Sequence, residues 1–180
     1  DISSLYDADS LGSDAAMCVG GVRVVYEPAR GQLLTGLDAA RNGCINVSSG
    51  RALLRPEIPT MADLFSDAGY TTYMTGKWHV KAKAASIFNH VGHVLPGMPK
   101  AAPESYNRPQ GVNDTLWQPW KKEFGGYWKG GKHWSELVKD DAVSFIDNAA
   151  QKENPFFMYI AFNAPHDPRQ SPKKYVDMYP

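Results

Sequence analysis

Three basic side chains stand where strand-like runs end. Lys77 and His79 sit two residues apart in Tyr73-Met74-Thr75-Gly76-Lys77-Trp78-His79, directly after a short β-rich run. His166 follows the continuous apolar run Phe156 to Phe162 by way of Asn163-Ala164-Pro165. A lysine ammonium is a point charge suited to an anionic oxygen, and an imidazole donates or accepts a proton near neutral pH. If both runs are strands of a parallel sheet, Lys77, His79 and His166 lie just past their carboxyl ends, where open α/β sheets bind ligands.

The elements that must position them are legible in part. Thr60 with Asp63 three residues on forms a capping-box-like pair, with Asp in place of Glu or Gln. Met61, Leu64, Phe65 and Ala68 then fall on one apolar helix face, Gly69 ends it, and Thr71 to Thr75 reads as a strand. A second helix is expected from about Ser135 to Ala150, with Val138, Ala142, Phe145, Ile146 and Ala149 on its inner face. Lys139, Asp140, Asp141 and Asp147 fall mostly on its wet side and receive no role. Pro155 opens Phe156 to Phe162, a run suited to a strand buried on both faces. Ser171-Pro172 starts a last short helix.

Nearer the N-terminus, residues 1–21 show no sustained period and read as a weakly specified lead-in. Val22 to Tyr26 is β-branched and reads as a strand or strand end. Glu27 to Gly36 reads as a short helix, with Pro28 in the first turn and Gly36 at the stop. From Lys81 to Lys132 regular pattern is lost, and 81–133 is expected to be an irregular insertion punctuated by proline and glycine. A loop of that length inside a compact domain is usually functional or disordered. Trp117, Trp120, Tyr127 and Trp128 argue against plain disorder, because large aromatics want burial; local packing is their expected role, ahead of stacking on a sugar. His90, His93 and His133 lack metal-ligand spacing and read as ordinary loop histidines.

Composition sets bounds. The 180 residues are 43 % hydrophobic, enough for one domain with a core. Lysine plus arginine balances aspartate plus glutamate at 19 each, so nothing favours nucleic acid or an anionic membrane surface. No apolar run is long enough to span a bilayer. No signal peptide is visible at the N-terminus, and the chain does not look complete. Cys18 and Cys44 allow one disulfide or two thiols, which leaves the compartment open.

Three separated blocks resemble the sulfatase family of the alkaline-phosphatase-like superfamily. The first is Pro59 to Tyr70 followed by Gly76-Lys77-Trp78-His79, and the second is Asn154 to Pro168. The third is Glu27 to Gly36, similar to the signature in which a cysteine is followed two residues later by proline and four later by arginine. The resemblance implies an α/β fold: a partial alkaline-phosphatase-like sandwich with a mostly parallel central sheet and flanking helices. It implies an incomplete N-terminal catalytic domain over residues 1–180 that hydrolyses sulfate esters. Lys77 and His166 would contact the sulfate, His79 would hydrogen-bond the nucleophile's hydroxyl, and Arg30 would hold the nucleophile's oxygen. The bland reading of Arg30 is a surface helix arginine. Asp167 is taken as structural.

The same signature carries the main departure. In the family its cysteine is oxidised to formylglycine, whose hydrated aldehyde attacks sulfur at a helix N-terminus, where free N–H groups stabilise developing negative charge. Here Tyr26 occupies that position, and a tyrosine cannot become formylglycine. Neither Cys18 nor Cys44 has the following residues of the motif. An intact relative is expected to bind a calcium ion. Asp7 and Asp9 do not follow an apolar strand and are not assigned as its ligands, so this chain is expected to hold no metal and to be inactive as it stands. The implied partner is a sulfated small molecule or glycan, and the implied compartment is periplasmic or extracellular. The alternatives are a non-catalytic binder of sulfated glycans and, ranking last, a phosphate- or phosphonate-ester hydrolase of the same superfamily.

Overall fold

The computed structural model describes residues 17–19, 22–24, 26–45, 54–99, 110–111, 113–116, 118–166 and 169–179. Asp7, Asp9, Trp117 and Asp167 lie outside the described residues. Two compact units divide the chain, one from Asp1–Thr72 with His79–Asn89 and the other from Tyr73–Trp78 with His90–Pro180.

In the first unit, strands β1 (Met17–Val19) and β2 (Val22–Val24) pair antiparallel, so the expected lead-in holds a short strand. Helix α1 (Tyr26–Thr35) follows, with Tyr26 as its first residue. Helix α2 (Ala39–Asn42) is capped by Asp38, whose side chain accepts from Arg41 N, and it stops at Gly43 in the left-handed region. Asn42 is fully buried and fully used. Its Nδ2 donates to Leu37 O at 3.0 Å and Thr35 Oγ1 at 3.3 Å, and its Oδ1 accepts from Cys44 N at 2.8 Å. Gly31 lets α1 lie against this corner, because a Cβ there would meet Cys44 Cβ at 2.8 Å.

Helix α3 (Met61–Asp67) starts at the expected capping box: Asp63 N donates to Thr60 Oγ1, and Thr60 N donates to Asp63 Oδ2 at 2.7 Å. The expected apolar face is only partly covered. Ala62 is the buried residue of this helix, while Leu64 is 58 % exposed. A helical apolar stripe states which residues can share a face, and the neighbours that are present decide how much of it is covered.

Strand β3 (Thr71–Lys77) begins in the first unit and continues in the second, two residues longer than the sequence suggests, so Lys77 is its last residue. It is the middle strand of a three-stranded sheet of order β4-β3-β5, which explains why six of its seven residues are buried. Strand β4 (His90–Leu95) pairs parallel with β3. This corrects the reading of 81–132 as patternless and of His90 and His93 as loop histidines. The signal was masked because Gly92 and two histidines interrupt the valines and leucine of His90-Val91-Gly92-His93-Val94-Leu95.

A register shift explains those residues. Met74 faces Val91, yet Gly76 faces Val94, so β4 carries one extra residue around Gly92-His93. The amide at this irregularity is held by a side chain: His93 N donates to Asp141 Oδ2 at 2.8 Å.

Asp141 comes from helix α4 (Trp134–Ala149), which packs on β4 and β5. Its inward stripe runs Trp134, Val138, Asp141, Phe145 and Ala149: three are buried, Phe145 packs on Tyr73, and Asp141 bonds the sheet. Ile146, expected inside, is 51 % exposed. Asp141, expected to be a wet charge without a role, fastens the helix to the sheet. The helix starts at His133, which is a buried N-cap and no loop histidine: its Nδ1 accepts from Ser135 N at 3.2 Å.

Strand β5 (Phe156–Ala161) is the edge strand beside β3, so most of it is half-buried, and the expected burial on both faces is not met. Gly76 stands against Ala161, near the carboxyl end of each strand, which makes this pair parallel too. Helix α5 (Lys173–Val176) closes the described chain after Pro172. Two described aromatic residues of the long connection pack on neighbouring rings: Trp128 against His93 and Trp134, and Tyr127 against His133.

Candidate functional site

The carboxyl ends of β3 and β5 are brought side by side by a glycine. Gly76 has φ +101°, and a Cβ on it would lie 1.9 Å from Ala161 O. Only glycine satisfies both demands, because a side chain there would be sterically strained and would collide with backbone. Lys77 is one residue beyond this contact, and Asn163 and His166 are two and five residues beyond it on the other strand. The second unit therefore collects Lys77, Asn163 and His166 at one sheet edge.

Lys77 is 2 % exposed. Removing an ammonium from water is costly unless anionic or hydrogen-bonding groups surround it, so a lysine this buried needs such partners. Two residues on, His79 has φ +39°, unusual for a residue with a Cβ. Such a backbone costs on the order of 1–3 kcal/mol and persists where the surrounding structure enforces it, often at functional sites.

His166 sits on a turn built by Asn163. His166 N donates to Asn163 O at 2.9 Å. The turn in turn is fixed to the start of α4 by two adjacent residues. Trp134 Nε1 donates to Asn163 Oδ1 at 2.7 Å, and His133 Nε2 lies 3.0 Å from Gln170 O. Because His133 Nδ1 accepts from Ser135 N, its proton is on Nε2 and is donated to Gln170. Burial holds the His133 pKa below its ordinary value, against the opposing pull of the Gln170 carbonyl and Glu136. The imidazole is thus a neutral clamp. Gly126 allows Gln170 to close in, since a Cβ there would meet Gln170 Cβ at 2.8 Å.

The indole N–H is a donor only, so it fixes which way the Asn163 amide faces. With Oδ1 committed to Trp134, the Nδ2 group is left buried with no hydrogen-bond partner among the described residues. An unsatisfied buried donor costs about 1–3 kcal/mol.

Lys77 and His166 share the second unit's sheet edge. Tyr26, Arg30 and His79 belong to the first unit, with Tyr26 opening α1 and Arg30 one turn further along it. Asn163, His133 and Trp134 were not singled out for this role. No local pattern could have shown it, because the Trp134–Asn163 bond spans 29 positions and the His133–Gln170 bond spans 37. Among the described residues no group of three or more His, Cys, Asp or Glu is placed to hold a metal ion, so the residues described do not fit a calcium centre. No helix among them is long and apolar enough to cross a membrane.

A family model described as Sulfatase matches residues 27–180. The chain belongs to that family. It is 29 % identical over 174 residues to an uncharacterized sulfatase of Escherichia coli, covering 86 % of this chain and 32 % of that relative. It is 29 % identical over 175 residues to an arylsulfatase of Klebsiella aerogenes, covering 84 % of this chain and 35 % of the relative. An arylsulfatase of Hemicentrotus pulcherrimus shares 33 % identity over 171 residues, with 79 % and 29 % covered. The chain thus spans about a third of the length of the curated relatives it matches. Among solved structures, Ps i-CgsB in complex with k-i-k-neocarrahexaose superposes with a TM-score of 0.63 at 23 % identity, over 86 % of this chain and 38 % of that one. The fold is the alkaline-phosphatase-like α/β fold, seen here as a mostly parallel three-stranded sheet with flanking helices.

Proposed function

We propose that this chain is part of the catalytic domain of a sulfuric ester hydrolase, with residues 1–180 forming an incomplete N-terminal portion, and that as it stands it does not turn over. The observation that carries the reading is the paired strand end: a lysine buried at the edge of β3, with His166 beyond β5. In this reading Lys77 and His166 hold the sulfate oxygens, His79 serves the nucleophile's hydroxyl, and Arg30 holds the nucleophile's oxygen. The family's nucleophile, a hydrated formylglycine, would attack sulfur and break the ester S–O bond. Tyr26 stands at that position and cannot supply it.

Calcium is the ion expected of an intact relative, and no step here is routed through it. The substrate is a sulfated small molecule or glycan. Two structural neighbours were solved with sugar ligands, one with k-i-k-neocarrahexaose and one with D-glucosamine-2-N,6-O-disulfate, which supports this class. A periplasmic or extracellular location is proposed on the same resemblance. Support for the incomplete-domain reading comes from the apolar side chains left at the surface, such as Leu64, Val143, Ile146 and Phe156.

The test is titration with sodium sulfate against sodium chloride at matched ionic strength. Saturable sulfate binding that is lost in Lys77→Ala supports the reading. Binding that survives Lys77→Ala contradicts it.

A further inference from the structure

The buried amide of Asn163, at this sheet edge, has its hydrogen-bonding geometry dictated from behind. Trp134 is fully buried, and its indole can only donate, so Asn163 Oδ1 must face it at 2.7 Å. Rotating the amide would set donor against donor. The two Nδ2 hydrogens are therefore turned away from Trp134, and they meet no acceptor among the described residues although Asn163 is only 3 % exposed.

Its position supplies the second observation. Asn163 follows β5 by two residues, on the edge where the Gly76–Ala161 contact brings in the buried Lys77. Its own carbonyl accepts from His166 N at 2.9 Å, so amide and imidazole belong to one turn. A donor pair held in fixed orientation on the turn after β5, at the strand ends where Lys77 is buried, is complementary to an oxyanion. Preorganised donors of this kind cost no reorganisation when the anion arrives.

We propose that Asn163 Nδ2 is an anion-contacting group that donates to an oxygen of the bound sulfate, with Trp134 as the positioning residue that aims it. This rests on the reading of Lys77 and His166 as sulfate-binding residues. It adds a donor that selects for geometry, because a neutral amide fixed by its Oδ1 bond discriminates by direction where a lysine does not.

The test is a titration of the 15N-labelled product of the complete reading frame that carries this chain with sodium sulfate, with sodium chloride as the ionic-strength control. The Asn163 Nδ2 proton pair is followed, identified by its proximity to the Trp134 Nε1 proton. The expected result is a saturable shift of this pair with the same midpoint as the backbone amides of Lys77 and His166. Asn163→Asp keeps an oxygen for Trp134 but loses the donors, and it should weaken sulfate binding about tenfold or more. Where that variant does not fold, the wild-type titration decides alone. Shifts at Lys77 and His166 with a silent Asn163 pair would overturn this inference while leaving the sulfate reading standing. No response at any of the three would overturn both.

Discussion

Asp141 Oδ2 accepts a hydrogen bond from Thr75 Oγ1 at 2.7 Å, joining the middle of α4 to the middle of the central strand. The same carboxylate takes His93 N at 2.8 Å and faces His93 Nδ1 at 3.0 Å. One side chain thus closes the gap that the β4 irregularity opens in the ladder. Asp141→Ala strands three polar groups in a half-buried place and is expected to destabilise the second unit by about 2–4 kcal/mol. Asp141→Asn keeps an acceptor and should cost less than half of that. Hydrogen exchange at the Thr75 and His93 amides checks it: fast exchange in the alanine variant is expected, and unchanged protection would contradict the role.

Gly76→Ala is expected to be among the most damaging single-methyl changes in the chain. Its Cβ would fall 1.9 Å from Ala161 O, at a φ of +101° that alanine avoids. Strand displacement at the site should follow, with a loss exceeding about 3 kcal/mol or failure to accumulate as folded protein. Gly36→Ala makes a useful comparison, because φ there is also positive but nothing lies within 4 Å of the added Cβ. A smaller loss at Gly36 than at Gly76 is the expected order in urea unfolding.

The His133 clamp predicts a direction for pH. Folding pushes its pKa down from the ordinary 6.5, chiefly by burial, and His90 moves the same way through burial and the nearby Lys152 ammonium. Below pH 6.5 the unfolded chain binds more protons than the folded one, so stability rises with pH across that window. The contribution is complete above the unfolded value and is lost as pH falls through the folded pKa. His133→Gln should flatten the slope between pH 7 and 5. An unchanged slope would mean that His133 is not a neutral clamp.

How much of this was readable in advance follows from the range of the interactions. The start of α3 was legible because Thr60 and Asp63 are three residues apart and their reciprocal bonds are local. Helix α4 and strand β5 announced themselves by periodicity and by an apolar run. Strand β4 did not, because its identity depends on β3 beside it and on Asp141, 48 positions away from His93. The outward turn of Ile146 and Leu64 has the same origin: periodicity gives a face, and packing decides what covers it. At the candidate site, the strands that carry Lys77 and His166 were legible. The Trp134–Asn163 and His133–Gln170 bonds that set the second strand end were invisible to any local pattern.

The 180-residue chain alone is expected to be poorly soluble. It leaves Leu64, Val143, Ile146, Phe156 and Met178 at least half exposed, and β5 is a sheet edge. Size-exclusion chromatography should show aggregation. A monodisperse monomer with a cooperative thermal transition would contradict this.

The chain belongs to the sulfatase family, and the proposed reading puts Tyr26 at the nucleophile position. The most direct measurement is hydrolysis of an aryl sulfate by the complete reading frame that carries this chain, with Tyr26 and with Tyr26→Cys, in a host that converts the cysteine to formylglycine. The account predicts no turnover with Tyr26 and measurable turnover with Tyr26→Cys. Turnover by the tyrosine form, or none from the converted cysteine form, would contradict it.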